Sequence, residues 1–219
     1  VGTFIPLLIL SLLIAVFISN LSSNKTKKFL QISYYCPAIL SSVVAATIWM
    51  IIFDPRGLGN QWINALLGTP GVDQGWLVDP VMEQVSTMVI YFWKYIGYFV
   101  ILFITGLASI PPTLYEAATI DGATKGQVFW RITLPQAMRT IIPPTTNLFI
   151  SMLKDSSLIS VMGVWEVMFL AQSYGRSSYR YIEMLTTAAI IYWLMSIGLE
   201  LIQARMERHY GKAYVRRDQ

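Results

Sequence analysis

Five apolar runs, separated by polar stretches, set the framework of this chain. Phe4–Ile18 reads FIPLLILSLLIAVFI, Tyr34–Phe53 carries no charge, and Val85–Leu107 carries one, Lys94. Leu148–Leu170 is interrupted by Lys154, Asp155 and Glu166, while Met184–Ile202 contains only Glu200. Roughly twenty apolar residues cross a bilayer core as a helix, so the pattern predicts five transmembrane helices. The first run is short for a span, and the reading expects an N-terminally truncated chain in which upstream residues complete it. Between the second and third runs, residues 54–82 are broken up by Gly57, Gly59, Pro70, Gly71 and Gly75. Within them Trp62, Ile63, Leu66 and Leu67 recur at helical spacing. That spacing predicts a short helix lying on the membrane surface, with Trp62 and Trp76 at the headgroup level.

The longest polar-enriched piece between apolar runs is 111–135, PPTLYEAATIDGATKGQVFWRITLP. Thr113 with Glu116 has the spacing of a capping box, and Thr124 with Gln127 repeats it. The expected structure is a helix from Leu114 to Asp121 stopped at Gly122, which tolerates a left-handed conformation. A second helix begins after Thr124, and Pro135 ends it.

Composition agrees with the pattern. In 219 residues the mean hydropathy is +0.54, with 55% hydrophobic against 13% charged residues, which points to an all-α integral membrane protein rather than a soluble domain. The single Cys36 excludes an intrachain disulfide or a multi-cysteine metal site. The net charge of +4 sits beside membrane segments, so it implies a lipid bilayer and no nucleic acid. Eleven basic residues lie in three connections: Lys25, Lys27 and Lys28; Lys125, Arg131 and Arg139; and Arg205, Arg208, Lys212, Arg216 and Arg217. The other connections hold three, Arg56, Arg176 and Arg180. Basic residues favour the cytoplasmic side, which puts the 111–135 loop and the 203–219 tail inside and the 54–82 loop outside.

Catalytic chemistry is sparse. There is no G-x-x-x-x-G-K-[ST] phosphate loop, Gly211-Lys212 lacking the rest of it. The one histidine, His209, falls in the basic tail, and paired intramembrane aspartates are missing. The chain reads as no enzyme, with no metal and no cofactor of its own. Ionisable residues within the spans are costly and become the path candidates: Lys94, Lys154 and Asp155, with Asn147 beside them. Lys94 either lines a path or snorkels outward along its stem. Lys154 and Asp155 are neighbours that do not face each other on a helix, so at least one needs a partner elsewhere. Asp155 either caps a helix beginning at Ser156, whose positive end would favour an anion, or sits in a structural hairpin at the membrane face.

Glu116-Ala117-Ala118, Gly122 six residues after the glutamate, and then Ile132, Leu134 and Pro135 resemble the EAA signature of membrane permeases of binding-protein-dependent ABC importers, type I. Asp121-Gly122-Ala123 is similar to its sugar-importer form. The resemblance implies a cytoplasmic coupling helix that docks on an ATPase subunit through Glu116, Ala117, Ala118, Asp121 and Gly122. It further implies a second permease subunit, identical or not, and an external solute-binding protein, which the 54–82 loop would meet. ATP and Mg would be held by the ATPase partners. Residues 1–135 resemble the sugar branch, in YYCPAILSSVVAATIWMIIFDPRGLGN and GLASIPPTLYEAATIDGA. The rest, QAMRTIIPPTTNLFISMLKDSSLISVMGVWEVMFLAQ, resembles the polar-amino-acid branch. A junction near Pro135 to Asn147 implies a subfamily that joins both patterns, or a chimeric or artificial chain. The expected function is a permease forming the path for a small polar solute, a sugar first and a polar amino acid second. A non-transporting scaffold or passive channel is the reading from another class.

Overall fold

The computed structural model describes residues 3–211, without the side chains of 158, 159 and 206–211. Of the expected basic tail, Arg208, His209, Lys212, Arg216 and Arg217 lie outside this description, as does the Gly211-Lys212 step. Among the described residues all regular structure is helical.

Helix α1 (Phe4–Ser19) buries the stripe Leu7, Ser11, Ala15 and Ile18. Ser11 and Ala15 are small, which lets its axis come close to its neighbour, as helices packing in lipid require. That neighbour is α5 (Pro80–Ala108), the central helix. Its start is well marked: Pro80 stands in the first turn and the Asp79 carboxylate accepts from the Val81 and Met82 N–H groups at 2.9 and 3.0 Å. Its 29 residues give about 44 Å of helix, enough to exceed a hydrocarbon core of about 30 Å. Phe99 and Phe103 of α5 meet Leu7, Ala15, Ile110, Ala137 and Ile141 in the main apolar core.

The expected continuous span over 34–53 is corrected. It is two helices, α2 (Asn24–Ile39) and α3 (Ser42–Phe53), that meet at 95°. Pro37 weakens the last turn of α2, Leu40 and Ser41 are extended, and Ser41 Oγ accepts from the Val44 N–H at 3.3 Å to start α3. Hydropathy alone did not register this break because no charge accompanies it. α2 lies so tightly on α5 that a Cβ on Gly97 would stand 2.0 Å from the Tyr34 carbonyl oxygen.

The surface helix expected in 54–82 is α4 (Leu58–Leu67). It turns its two asparagines inward. Asn60 and Asn64 both donate to the Val72 carbonyl, at 2.8 and 2.7 Å, and Gln74 donates to Asn64 at 2.7 Å. Trp62 and Leu66 stay on the outside, 77% and 84% exposed. Trp76 stacks on Phe53 and donates to Asn60 at 3.2 Å.

After α5 come α6 (Pro112–Ile120), α7 (Lys125–Val128), a π turn at Phe129–Thr133 and α8 (Leu134–Ser156). Pro135 therefore does not end the second helix. It falls in the first turn of α8, just after the π turn has already given up the regular hydrogen-bond ladder, where a missing N–H costs little. The helix that carries the fourth apolar run consequently starts at Leu134 rather than Leu148. The chain leaves α8 through a 3₁₀ turn at Ser157–Met162 and a left-handed Gly163, and resumes as α9 (Val167–Ser177) after a bend of 46°. Helix α10 (Tyr181–Gly211) closes the fold.

By length and composition, two described helices, α5 and α10, can cross a membrane, and four crossings result if each bent pair counts as one. The remaining apolar run, α1, is a 16-residue helix.

Candidate functional site

The signature hairpin is built from local hydrogen bonds. α6 starts at Pro112 with Pro111 as its cap residue and no side-chain cap, so the expected Thr113–Glu116 capping box does not form. Two prolines already set the helical entry, and proline at the first position lacks only an N–H that would have been free. The other end matches expectation. The Ala123 N–H reaches the Ala118 carbonyl at 2.9 Å and the Gly122 N–H reaches Thr119 at 3.1 Å, the two bonds of a Schellman stop. Gly122 supplies its left-handed residue, at φ +71°, with open space around it. The second capping box is present in both directions: the Thr124 N–H donates to Gln127 Oε1 at 2.9 Å and the Gln127 N–H to Thr124 Oγ1 at 3.3 Å.

The hairpin sorts its residues by face. Glu116, Ala117, Asp121 and Gly122 are exposed, whereas Ala118 is 4% exposed and packs into its own chain. Ala118 is thus the member of the Glu116–Gly122 set that faces inward. Two residues that the sequence reading passed over share the outer surface: Ile120, 86% exposed, and Trp130, 67%. Ile120 lies one turn after Glu116, and a bare apolar residue in a polar loop was the available signal.

A second polar site lies inside the bundle. Lys94, at the midpoint of α5, is 7% exposed and does not snorkel. Its ammonium pairs with Asp155 at 3.2 Å and donates to Ser42 Oγ. Ser42 donates in turn to Asp155 Oδ2 at 2.8 Å, and the Tyr95 hydroxyl donates to the same oxygen. Asp155 is therefore the one of the two neighbours that finds its partner elsewhere, in Lys94, but it is not a helix cap, since α8 continues through Ser156. The capping role falls to Glu166, whose carboxylate accepts from the Met168 and Phe169 N–H groups at 2.8 and 2.6 Å and from the Tyr192 hydroxyl. With a carboxylate already on it, that helix start has no vacancy for an anion. Ser42 sits where α3 begins after the 95° break, so the ion pair ties the broken helix to α5 and α8. Irregular backbone at membrane depth persists only where protein or a cavity surrounds it.

The other two path candidates are not brought to this pair. Lys154 is exposed, and Asn147, also exposed, accepts from Gln203 of α10 at 2.8 Å. A cleft of about 790 Å³ opens instead between α5, α8 and the start of α1. Glu83, Thr87, Tyr91 and Trp165 line it. Glu83 accepts from the Trp165 N–H at 2.7 Å, while the Thr87 and Tyr91 hydroxyls are buried without a hydrogen-bond partner. These residues escaped the sequence reading because three of the four are uncharged and none interrupts an apolar run. Among the described residues no group of three or more histidine, cysteine or acidic side chains is placed to hold a metal.

The chain is 31% identical over 157 residues to GgtC of Synechocystis sp., an osmoprotective compounds uptake permease protein, covering 70% of this chain and 55% of GgtC. It is 30% identical over 190 residues to TcyB of Bacillus subtilis, an L-cystine transport system permease protein, covering 83% of this chain and 81% of TcyB. With XacH of Haloferax volcanii, a xylose/arabinose import permease, it shares 28% over 200 residues, covering 89% of this chain and 62% of XacH. The chain spans about half the length of the first of these relatives. Alignments of 190 and 200 residues each run across the Pro135–Asn147 region, so neither kind of likeness stops there. Its fold matches a chain from the crystal structure of a bacterial ABC transporter involved in import of the acidic polysaccharide alginate, with a TM-score of 0.67 at 24% identity, covering 95% of this chain and 78% of that one. The family model for the binding-protein-dependent transport system inner membrane component matches residues 6–212, and the chain belongs to that family.

Proposed function

We propose that this chain is the permease subunit of an ATP-driven importer, a single transmembrane domain over 1–219 in a prokaryotic plasma membrane. Loop 111–135 and tail 203–219 face the cytoplasm, and loop 54–82 faces outward toward a solute-binding protein. A second permease subunit completes the path. ATP and Mg belong to ATPase partners, which dock on the hairpin through Glu116, Ala117, Asp121 and Gly122, with Ile120 beside them. One observation carries this reading: the α6 face is exposed, while its turn is closed by its own Schellman and capping-box bonds. A surface that needs no partner to fold, yet shows a bare Ile120, suits docking. The basic residues support the orientation, since Lys27 and Lys125 line one groove and so share one end of the bundle.

The solute is small and polar, a sugar first and an amino acid second. Relatives of both kinds, the xylose/arabinose and the L-cystine permease, keep both in view. The path runs by the Lys94–Asp155 pair and the cleft at Thr87 and Tyr91, with Asn147 and Lys154 on its margin.

Co-purification tests the docking role and separates it from a scaffold or passive channel. An ATP-hydrolysing subunit encoded beside this chain should co-purify with wild type and be lost with Glu116→Lys; unchanged recovery overturns it. Orientation is tested in a Cys36→Ala background. Val78→Cys should react with an impermeant thiol reagent in intact cells and Lys125→Cys should not. Labelling of Lys125→Cys from outside overturns the assignment.

A further inference from the structure

A groove of about 920 Å³ lies at the end of the bundle where α1 and α5 finish and α2 and α7 begin. We propose that it binds the headgroup of an anionic phospholipid, with the first part of an acyl chain along its apolar wall. Two lysines, Lys27 and Lys125, reach it from different elements, and among the described residues no aspartate or glutamate lines it. Lys27 is half-buried, and its ammonium donates to the Ser19 carbonyl at 2.8 Å. That bond fixes the charge over the end of α1 and leaves its other hydrogens to a ligand, an ammonium having three. Gln31, one turn after Lys27 on α2, and Thr119 of α6 add polar groups to the rim.

The remaining wall includes hydrocarbon, with Ile104 and Leu107 of α5 and Phe129 of the π turn. A free phosphate would engage the lysines and leave this wall wet. A lipid with a negative headgroup satisfies both halves, and basic pockets between spans are suited to such headgroups. This inference needs neither transport nor an ATPase, so it stands apart from the function proposed above.

The test is native mass spectrometry of the solubilised chain with phosphatidylglycerol and phosphatidylcholine of matched acyl chains. Wild type should retain phosphatidylglycerol preferentially. Lys27→Gln and Lys125→Gln should each lower that preference by about five-fold, matching about 1 kcal/mol per lysine near an anionic surface. The double Lys27→Arg/Lys125→Arg variant keeps the charge and should keep the preference, which controls for folding. Arg56→Gln, at an exposed basic residue outside the groove, should leave the preference unchanged. An unaltered preference in Lys27→Gln/Lys125→Gln overturns the proposal, as does an equal loss in Arg56→Gln. Retained lipid preference with loss of a co-purifying protein would assign the groove to a protein instead and equally overturn it.

Discussion

The signature hairpin and the middle of α5 treat polar residues in opposite ways. In the hairpin, Glu116, Ala117 and Asp121 face solvent, and the hydrogen bonds that shape the turn all close between neighbours along the chain. At Lys94 every polar contact is long-range: Ser42 lies 52 residues away and Asp155 61 residues away. The hairpin can therefore change a side chain without losing its form. The buried cluster cannot, because each member is what allows the others to sit out of water. Exposed polarity here is available to a partner, and buried polarity holds three helices together.

Breaking the buried cluster should have the largest effect. Asp155→Ala leaves Lys94 charged and unpaired, a loss of about 3–5 kcal/mol for a buried pair. The value should fall toward the lower end, since the Asp155 side chain is about a third exposed. Thermal unfolding in detergent should show the drop, and the double variant Lys94→Met/Asp155→Leu should recover most of it. A double variant no better than Asp155→Ala would argue that Asp155 acts apart from Lys94.

An intermediate effect is expected in the hairpin. Thr124→Ala removes one arm of the capping box, worth about 1 kcal/mol. The change should loosen α7 locally, raising amide exchange at Gln127, while the unfolding midpoint of the bundle barely moves. A large fall in that midpoint would contradict the hairpin's independence. The smallest effect belongs to Lys154→Met. Its side chain is exposed and has no ion pair among the described residues, so stability should shift by less than about 0.5 kcal/mol.

This contrast also decides what was legible beforehand. Turn chemistry reads directly, because Gly122, Thr124 and Gln127 act on their own neighbours. Each of the five apolar runs falls on helix, although two of them are bent. The break at Leu40–Ser41 was hidden, since it is made by Pro37 and a serine cap inside an uncharged stretch. The pairing of Lys94 with Asp155 was half visible: adjacency ruled out Lys154 as a helical partner, but only the packing of α5 on α8 names the residue that serves. Pro135 misled for a related reason. A proline stops a regular helix, but the preceding π turn lets this one sit inside a continuous rod.

Whether the hairpin works as a separate docking element is tested most directly at Gly122. Its φ of +71° has open space around it, so a substitution there acts through backbone conformation alone. Valine should cost about 1–2 kcal/mol at that turn and rotate Glu116 and Ala117 on their helix. Asparagine tolerates the left-handed region better. The measurement is solute-stimulated ATP hydrolysis in reconstituted vesicles, with wild type, Gly122→Asn and Gly122→Val at matched assembly. The account predicts normal insertion of all three, most activity kept by asparagine and most lost by valine. Equal rates in the three would contradict it.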